Sequence, residues 1–140
     1  MEIRRIPAPD TWLLRQEVMW PEKDLDFVKL PEDSDGAHYG LFEDGNLVSV
    51  ISLFVTGQTA QFRKFATRQN RQGKGYGTEL LRFVLEEARQ MGVRTIWCSA
   101  RISKAAYYEK LGLQRTENRF EREGVEYVVM RKCLIGLENS

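Results

Sequence analysis

The sequence predicts an α+β fold, a central sheet covered by helices, with elements in the order β-α-β-β-β-α-β-α-β-β. Three observations predict it. Asp44-Gly45-Asn46 is a hairpin signal between two apolar runs, a strongly periodic helix follows Gly77, and a second strand pair flanks Glu123-Gly124. With 140 residues, 42% of them hydrophobic and 29% charged, the chain is expected to be one domain, residues 1–140, around one core.

Taken in order, Glu2–Ile6 reads as a strand that Pro7 and Pro9 end. Asp10 is the expected N-cap of a helix to about Met19, with Trp12, Leu13, Val18 and Trp20 apolar and Pro21 as the stop. Glu22–Gly36 is acidic and rich in turn residues, and is expected to be loop. Strands Ala37–Glu43 and Leu47–Thr56 flank the hairpin turn, and Gly57-Gln58 leads into a further strand, Thr59–Thr67. Leu80, Leu81, Val84, Leu85, Ala88 and Met91 recur at helical spacing, and Gly92 closes that helix. Arg94–Ala100 reads as a buried strand, Ser103–Leu111 as a helix stopped by Gly112, and Leu113–Arg119 with Val125–Lys132 as the closing pair.

Composition excludes several functions. A balance of 21 basic against 20 acidic residues is too even to hold nucleic acid through counterion release. No apolar run approaches the roughly 18–20 residues of a membrane span. No apolar stretch follows the charged MEIRRIPAPD, so a cytoplasmic location is expected. Two cysteines, Cys98 and Cys133, and one histidine, His38, are too few for a disulfide framework or a Cys- or His-rich metal site, and no metal is expected. Cys98 is expected in the core, and His38 in a partly exposed structural position.

The chemistry concentrates in Gln72-Gly73-Lys74-Gly75-Tyr76-Gly77-Thr78, between a strand and a helix. Alternating glycines remove the Cβ atoms that would hold a ligand off the backbone and permit positive φ. The first amides of a helix lack intrahelical acceptors, and the dipole is positive there. A pyrophosphate supplies both acceptors and charge, at about 1.5–3 kcal/mol for each charge-assisted bond. Arg63, Lys64, Arg68, Arg71 and Lys74 are the residues that could form a local basic patch, with a single anionic ligand at its centre. A P-loop requires Ser or Thr after its Gly-Lys pair, where this chain has Gly75. A dinucleotide fingerprint requires its third glycine one residue later than Gly77 and an acidic residue at the end of the next strand, where Ser99, Ala100 and Arg101 stand.

Gln72-Gly73-Lys74-Gly75-Tyr76-Gly77 matches throughout the pattern Gln/Arg-x-x-Gly-x-Gly/Ala of the GCN5-related N-acetyltransferase family, and the chain resembles that family. Ala106-Tyr107-Tyr108-Glu109-Lys110-Leu111-Gly112-Leu113 resembles the family's aromatic pair ahead of a helix stop. Element order is similar over nearly the whole chain. The resemblance implies a mixed, mostly antiparallel sheet with helices on both faces, splayed between its fourth and fifth strands. It implies acetyl transfer from acetyl-CoA to a primary amine in a ternary complex, with no acyl-enzyme. The pyrophosphate is expected on the amides of Gly73 to Thr78, with Gln72 opening the motif and Lys74 and Arg71 adding charge. The pantetheine arm is expected to pair with the backbone of Phe65, Ala66 and Thr67. Where the family often has Asn, this chain offers Ser99 and Ser103, and Lys104 replaces a small residue. A homodimer through the closing strands is an oligomeric form the resemblance makes available.

Acyl transfer needs a neutral amine and a proton for the departing thiolate. An alkyl amine of pKa near 10.4 is roughly 0.04% neutral at pH 7, a penalty of about 4.6 kcal/mol. Tyr108 matches the family's acid in position, and a phenol near pKa 10 can donate to a thiolate. Adjacent Tyr107 points about 100° away, so one of the two is expected to face the site and the other the core. Glu17, Glu126 and a water held by carbonyls stay open as the base. Trp12, Arg15, Trp20 and Tyr127 are candidates for the acceptor by location, and a small-molecule amine is the expected acceptor. Two other classes remain: a non-catalytic acyl-CoA sensor or binding module, and a protein acetyltransferase acting on lysine or an N-terminus.

Overall fold

The computed structural model describes residues 1–134. Seven strands form one open mixed sheet: β1 (Glu2–Ile6), β2 (Ala37–Glu43), β3 (Asn46–Thr56), β4 (Thr59–Thr67), β5 (Thr95–Arg101), β6 (Gln114–Arg122) and β7 (Val125–Cys133). Hydrogen-bonded neighbours run β1-β2-β3-β4-β5-β7-β6. Ladders β1/β2, β2/β3, β5/β7 and β6/β7 are antiparallel, and β4 with β5 is parallel. Three α-helices, α1 (Pro9–Met19), α2 (Tyr76–Gln90) and α3 (Ala105–Lys110), complete the α+β order the sequence predicts. Among the described residues no helix is long and apolar enough to cross a membrane.

By internal contacts the chain forms two compact units. The first joins Met1–Phe54 to Phe62–Glu87. Its hairpin turns where predicted, with Asp44 and Gly45 both at positive φ (52° and 82°), the pair a tight I′ turn demands. Leu80, Leu81 and Val84 of α2 are buried, as are Tyr39, Leu41 and Ile51 of β2 and β3. Each such side chain contributes about 1.5–3 kcal/mol on burial. Ile6, Leu14, Val50 and Ala66 form a second apolar cluster that draws α1 and β4 together.

The second unit joins Val55–Gln61 to the chain from Ala88 onward. Here β5 pairs along its whole length with β7, and Ile96, Cys98, Ala100, Val128 and Met130 are buried. Strand β6 carries a bulge between Arg115 and Arg119, where the Thr116 hydroxyl donates to Val129 O at 2.8 Å.

Several boundaries depart from expectation. Helix α1 begins at Pro9 with Ala8 at the N-cap, so Asp10 lies in the first turn instead of capping it. The fixed φ of Pro9 starts the helix earlier than a polar cap would. Met91 lies past the end of α2 and is 47% exposed, because the helical period stops before the turn at Gly92. The acidic loop contains two short 3-10 helices, Leu25–Val28 and Pro31–Asp35. The helix expected from Ser103 opens as a 3-10 turn, Ile102–Lys104, ahead of α3.

Candidate functional site

At the start of α2 Glu79 N donates to Gly75 O at 3.0 Å, and Tyr76, Gly77 and Thr78 make up the helix's first turn. Gly73 and Gly75 take φ of +79° and +86°, a region costly for any residue with a Cβ. A methyl group at either would meet no described heavy atom within 4 Å. Gln72, Gly73, Lys74 and Gly75 are exposed, and Tyr76, Gly77 and Thr78 are half-buried. The loop is therefore an open row of main-chain groups at the positive end of a 15-residue helix. Gly77 serves packing instead, since a methyl there would lie 3.0 Å from Thr67 Oγ1 and 3.2 Å from Phe65 Cζ. Its missing side chain lets the helix approach β4.

Strand β4 is distorted where it meets this loop. Lys64 adopts φ +56°, a left-handed residue inside a strand and a mark of stored strain. Beyond it, Arg68 N donates to Val48 O at 2.8 Å and the Ser49 hydroxyl to Ala66 O at 3.1 Å. Residues 66 and 68 thus turn their main-chain groups toward β3, and by alternation Phe65 and Thr67 turn theirs to the opposite edge. Thr67 O accepts from Gln72 Nε2 at 2.9 Å, tying the first motif residue to the strand end. The β4/β5 ladder pairs Thr59, Ala60 and Gln61 with Thr95, Ile96 and Trp97.

Arg71, expected to add charge for a phosphate, donates instead from Nε to Glu43 Oε1 at 2.7 Å. The Tyr76 phenol donates to the other oxygen of the same carboxylate. The Tyr76 hydrogen bond first, and that from Arg71 second, hold the Glu43 carboxyl below its ordinary range, while Glu43 raises the Tyr76 phenol. Sequence reasoning missed Glu43, since a glutamate closing a strand before a turn carries no signal of a partner roughly thirty residues away.

In the second unit, Tyr108 lies on α3, half-buried, its ring edge-on to Tyr107 at 5.3 Å. Burial raises its phenol well above the ordinary value, and the nearby Cys98 thiol and Tyr107 push the same way. Tyr108 therefore stays protonated across the neutral range. Tyr107 is half-buried as well, so neither ring of the pair is a fully buried core residue. Cys98 is buried as expected, and burial pushes its thiol up to about 12. Ser99 is half-buried on β5, while Ser103 and Lys104 are exposed.

Two acceptor candidates prove to be structural. Arg15 is fully buried, with Nη1 donating to Asp33 Oδ2 (2.9 Å) and Val28 O (3.0 Å), and Nη2 to Asp33 Oδ1 (2.9 Å) and Ser52 Oγ (2.9 Å). Trp12 Nε1 donates to the same carboxylate at 3.1 Å. His38 joins this network and is buried, 3% exposed, where partial exposure was expected. The Asp33 carbonyl can only accept, so His38 Nε2 carries the proton (2.8 Å) and Nδ1 accepts from the Ser52 hydroxyl (2.7 Å). Trp20 packs edge-on to Phe27 at 5.1 Å, and Tyr127 stacks on Phe120 at 5.2 Å. Of the base candidates, Glu17 accepts from Arg68 Nη1 at 2.8 Å, and Glu126 is exposed on β7.

Residues 5–113 match the model of the acetyltransferase (GNAT) family. The chain is 28% identical over 144 residues to the uncharacterized N-acetyltransferase YitI of Bacillus subtilis (strain 168), covering 96% of this chain and 97% of that one. A crystal structure from Lactobacillus plantarum, provisionally assigned as an N-acetyltransferase, superimposes with a TM-score of 0.85 at 21% identity, covering 96% of this chain and 100% of that one. An aminoglycoside 6'-N-acetyltransferase complexed with coenzyme A superimposes with a TM-score of 0.74 at 16% identity, covering 96% of this chain and 98% of that one.

Proposed function

Because this chain belongs to the acetyltransferase (GNAT) family, and with it to the acyl-CoA-dependent N-acyltransferases, we propose that it moves acetyl from acetyl-CoA to the primary amine of a small molecule, as a single acetyltransferase domain spanning 1–140. One observation carries the donor half of this reading. The motif glycines Gly73 and Gly75 hold left-handed backbone on an open face, directly ahead of the α2 amides. A doubly charged phosphate linkage is the ligand such a row fits best.

The amides from Gly73 to Thr78 bind the pyrophosphate, and Lys74 adds a positive charge beside it. Phe65 and Thr67, whose main-chain groups face away from β3, pair with the pantetheine arm. Ala66 supports them from the core, its carbonyl already engaged by Ser49. The Lys64 distortion re-aims this stretch of strand. Acetyl-CoA supplies an acyl group activated as a thioester. The amine nitrogen forms the new C–N bond, the C–S bond breaks, and the thiolate takes up a proton. Tyr108 is the donor of that proton: its position on α3 matches the family's acid, and its buried phenol is neutral at pH 7. The amine itself arrives protonated and sheds its proton to solvent or to a base.

The test is a panel of free amines and of peptides, each assayed with acetyl-CoA by thiol release. The reading predicts turnover with a free amine and a kcat lower by about 10²–10³ in Tyr108→Phe, with KM for acetyl-CoA little changed. Acetylation confined to peptides would move the acceptor to a protein. Coenzyme A binding with no turnover of any amine would contradict the catalytic reading.

A further inference from the structure

Glu43 closes β2, outside the motif, yet its carboxylate holds side chains from both flanks of the glycine loop. Arg71, immediately before Gln72, donates to Oε1 at 2.7 Å, and Tyr76, the first residue of α2, donates its phenol to Oε2. Between these anchors lie Gln72, Gly73, Lys74 and Gly75. Glycine lets the loop reach the conformation it needs, and leaves it equally free to depart from it. Resting on the reading that this loop binds the donor's pyrophosphate, we propose that Glu43 is a positioning residue that staples the two ends of the loop and aims its amides before the phosphates arrive.

A carboxylate beside an anion site would, acting alone, repel the ligand. Here the Arg71 guanidinium neutralises it. Lys74 adds a positive charge that acts on Glu43, and Asp44 a negative one that acts on Tyr76. Hydrogen bonds from Tyr76 and Arg71 keep Glu43 ionised at neutral pH, so the staple is closed under working conditions. Pre-organisation of this kind acts on binding: it removes an ordering cost from the encounter and has no further part once the donor is seated. The expected signature is a change in donor affinity with the chemical step spared.

The experiment titrates coenzyme A calorimetrically into wild type, Glu43→Gln, Glu43→Ala, Tyr76→Phe and the double variant Glu43→Ala/Tyr76→Phe. Steady-state kinetics against acetyl-CoA run beside it. Glu43→Ala should weaken coenzyme A binding and raise KM for acetyl-CoA by about tenfold, with kcat within about twofold of wild type. Glu43→Gln, which keeps the shape and one acceptor, should fall between. Adding Tyr76→Phe to Glu43→Ala should produce no further loss, since the bond it removes is already broken. A glutamate that merely supports the fold would instead lower the thermal midpoint and kcat without that split. Equal or tighter binding by Glu43→Ala, with wild type binding normally, overturns the staple and leaves the loop reading standing. No heat from wild type overturns both.

Discussion

Gly75→Ala separates the cost of strained backbone from the cost of a blocked ligand site. A methyl group at residue 75 meets no described heavy atom within 4 Å, so no clash adds to the penalty. What remains is the φ of +86°, which costs about 1–2 kcal/mol for a residue with a Cβ. Against a total stability of about 5–15 kcal/mol the fold survives. Binding suffers more. The methyl projects on the open side of the amide row, where phosphate oxygens must approach. Losing two charge-assisted bonds at about 1.5 kcal/mol each weakens coenzyme A binding roughly 150-fold. Gly57→Ala is the matched control, with φ +62°, open space around the methyl and a place in the β3–β4 turn. Both variants should lose similar stability by urea titration, and Gly75→Ala alone should lose affinity by calorimetry. Wild-type affinity in Gly75→Ala, or an equal loss in Gly57→Ala, refutes the reasoning.

Asp33→Asn leaves Arg15 buried without its counter-charge and should cost about 3–5 kcal/mol at pH 7 by urea titration. Burial alone would raise the Asp33 carboxyl, but hydrogen bonds from Arg15, the Leu30 amide and Trp12 outweigh it and hold the group low. The wild type therefore keeps this stability above the ordinary carboxylate range and loses it as pH falls below, a loss the Asn variant should not share. Cys98 acts at the other end of the scale. With the thiol raised from 9.0 to about 12, its contribution is whole below pH 9 and fades as pH rises through about 12, some 4 kcal/mol in all. Cys98→Val should flatten the alkaline limb of stability measured under reductant, and parallel limbs would contradict the assignment. Lys64→Gly should relieve left-handed strain and raise stability by about 0.5–1 kcal/mol. Because glycine keeps the same left-handed turn, kcat should stay near wild type, and a loss of stability by urea titration would contradict the strain reading.

The elements that write themselves locally were legible before the structure. The period of Leu80, Leu81 and Val84 defines α2, and Asp44-Gly45 defines the hairpin, because each depends on neighbours in sequence. Motif spacing located the glycine loop for the same reason. What sequence could not disclose is long-range pairing. Arg15 stands among the acceptor candidates until Asp33, Val28 and Ser52 take up its guanidinium, and Glu43 carries no signal until Arg71 and Tyr76 reach it. The left-handed Lys64 was invisible because lysine, unlike glycine, gives no warning of positive φ. Asp10 misled because a good capping residue was outcompeted by the proline before it.

That the main-chain amides leading into α2 receive a pyrophosphate is tested most directly by amide-resolved NMR of labelled protein during coenzyme A titration. Saturable shifts should concentrate in the resonances of Gly73 to Thr78, with Phe65 and Thr67 following as the longer ligand replaces inorganic pyrophosphate. Saturation that moves other amides while those of Gly73 to Thr78 stay in place would contradict it.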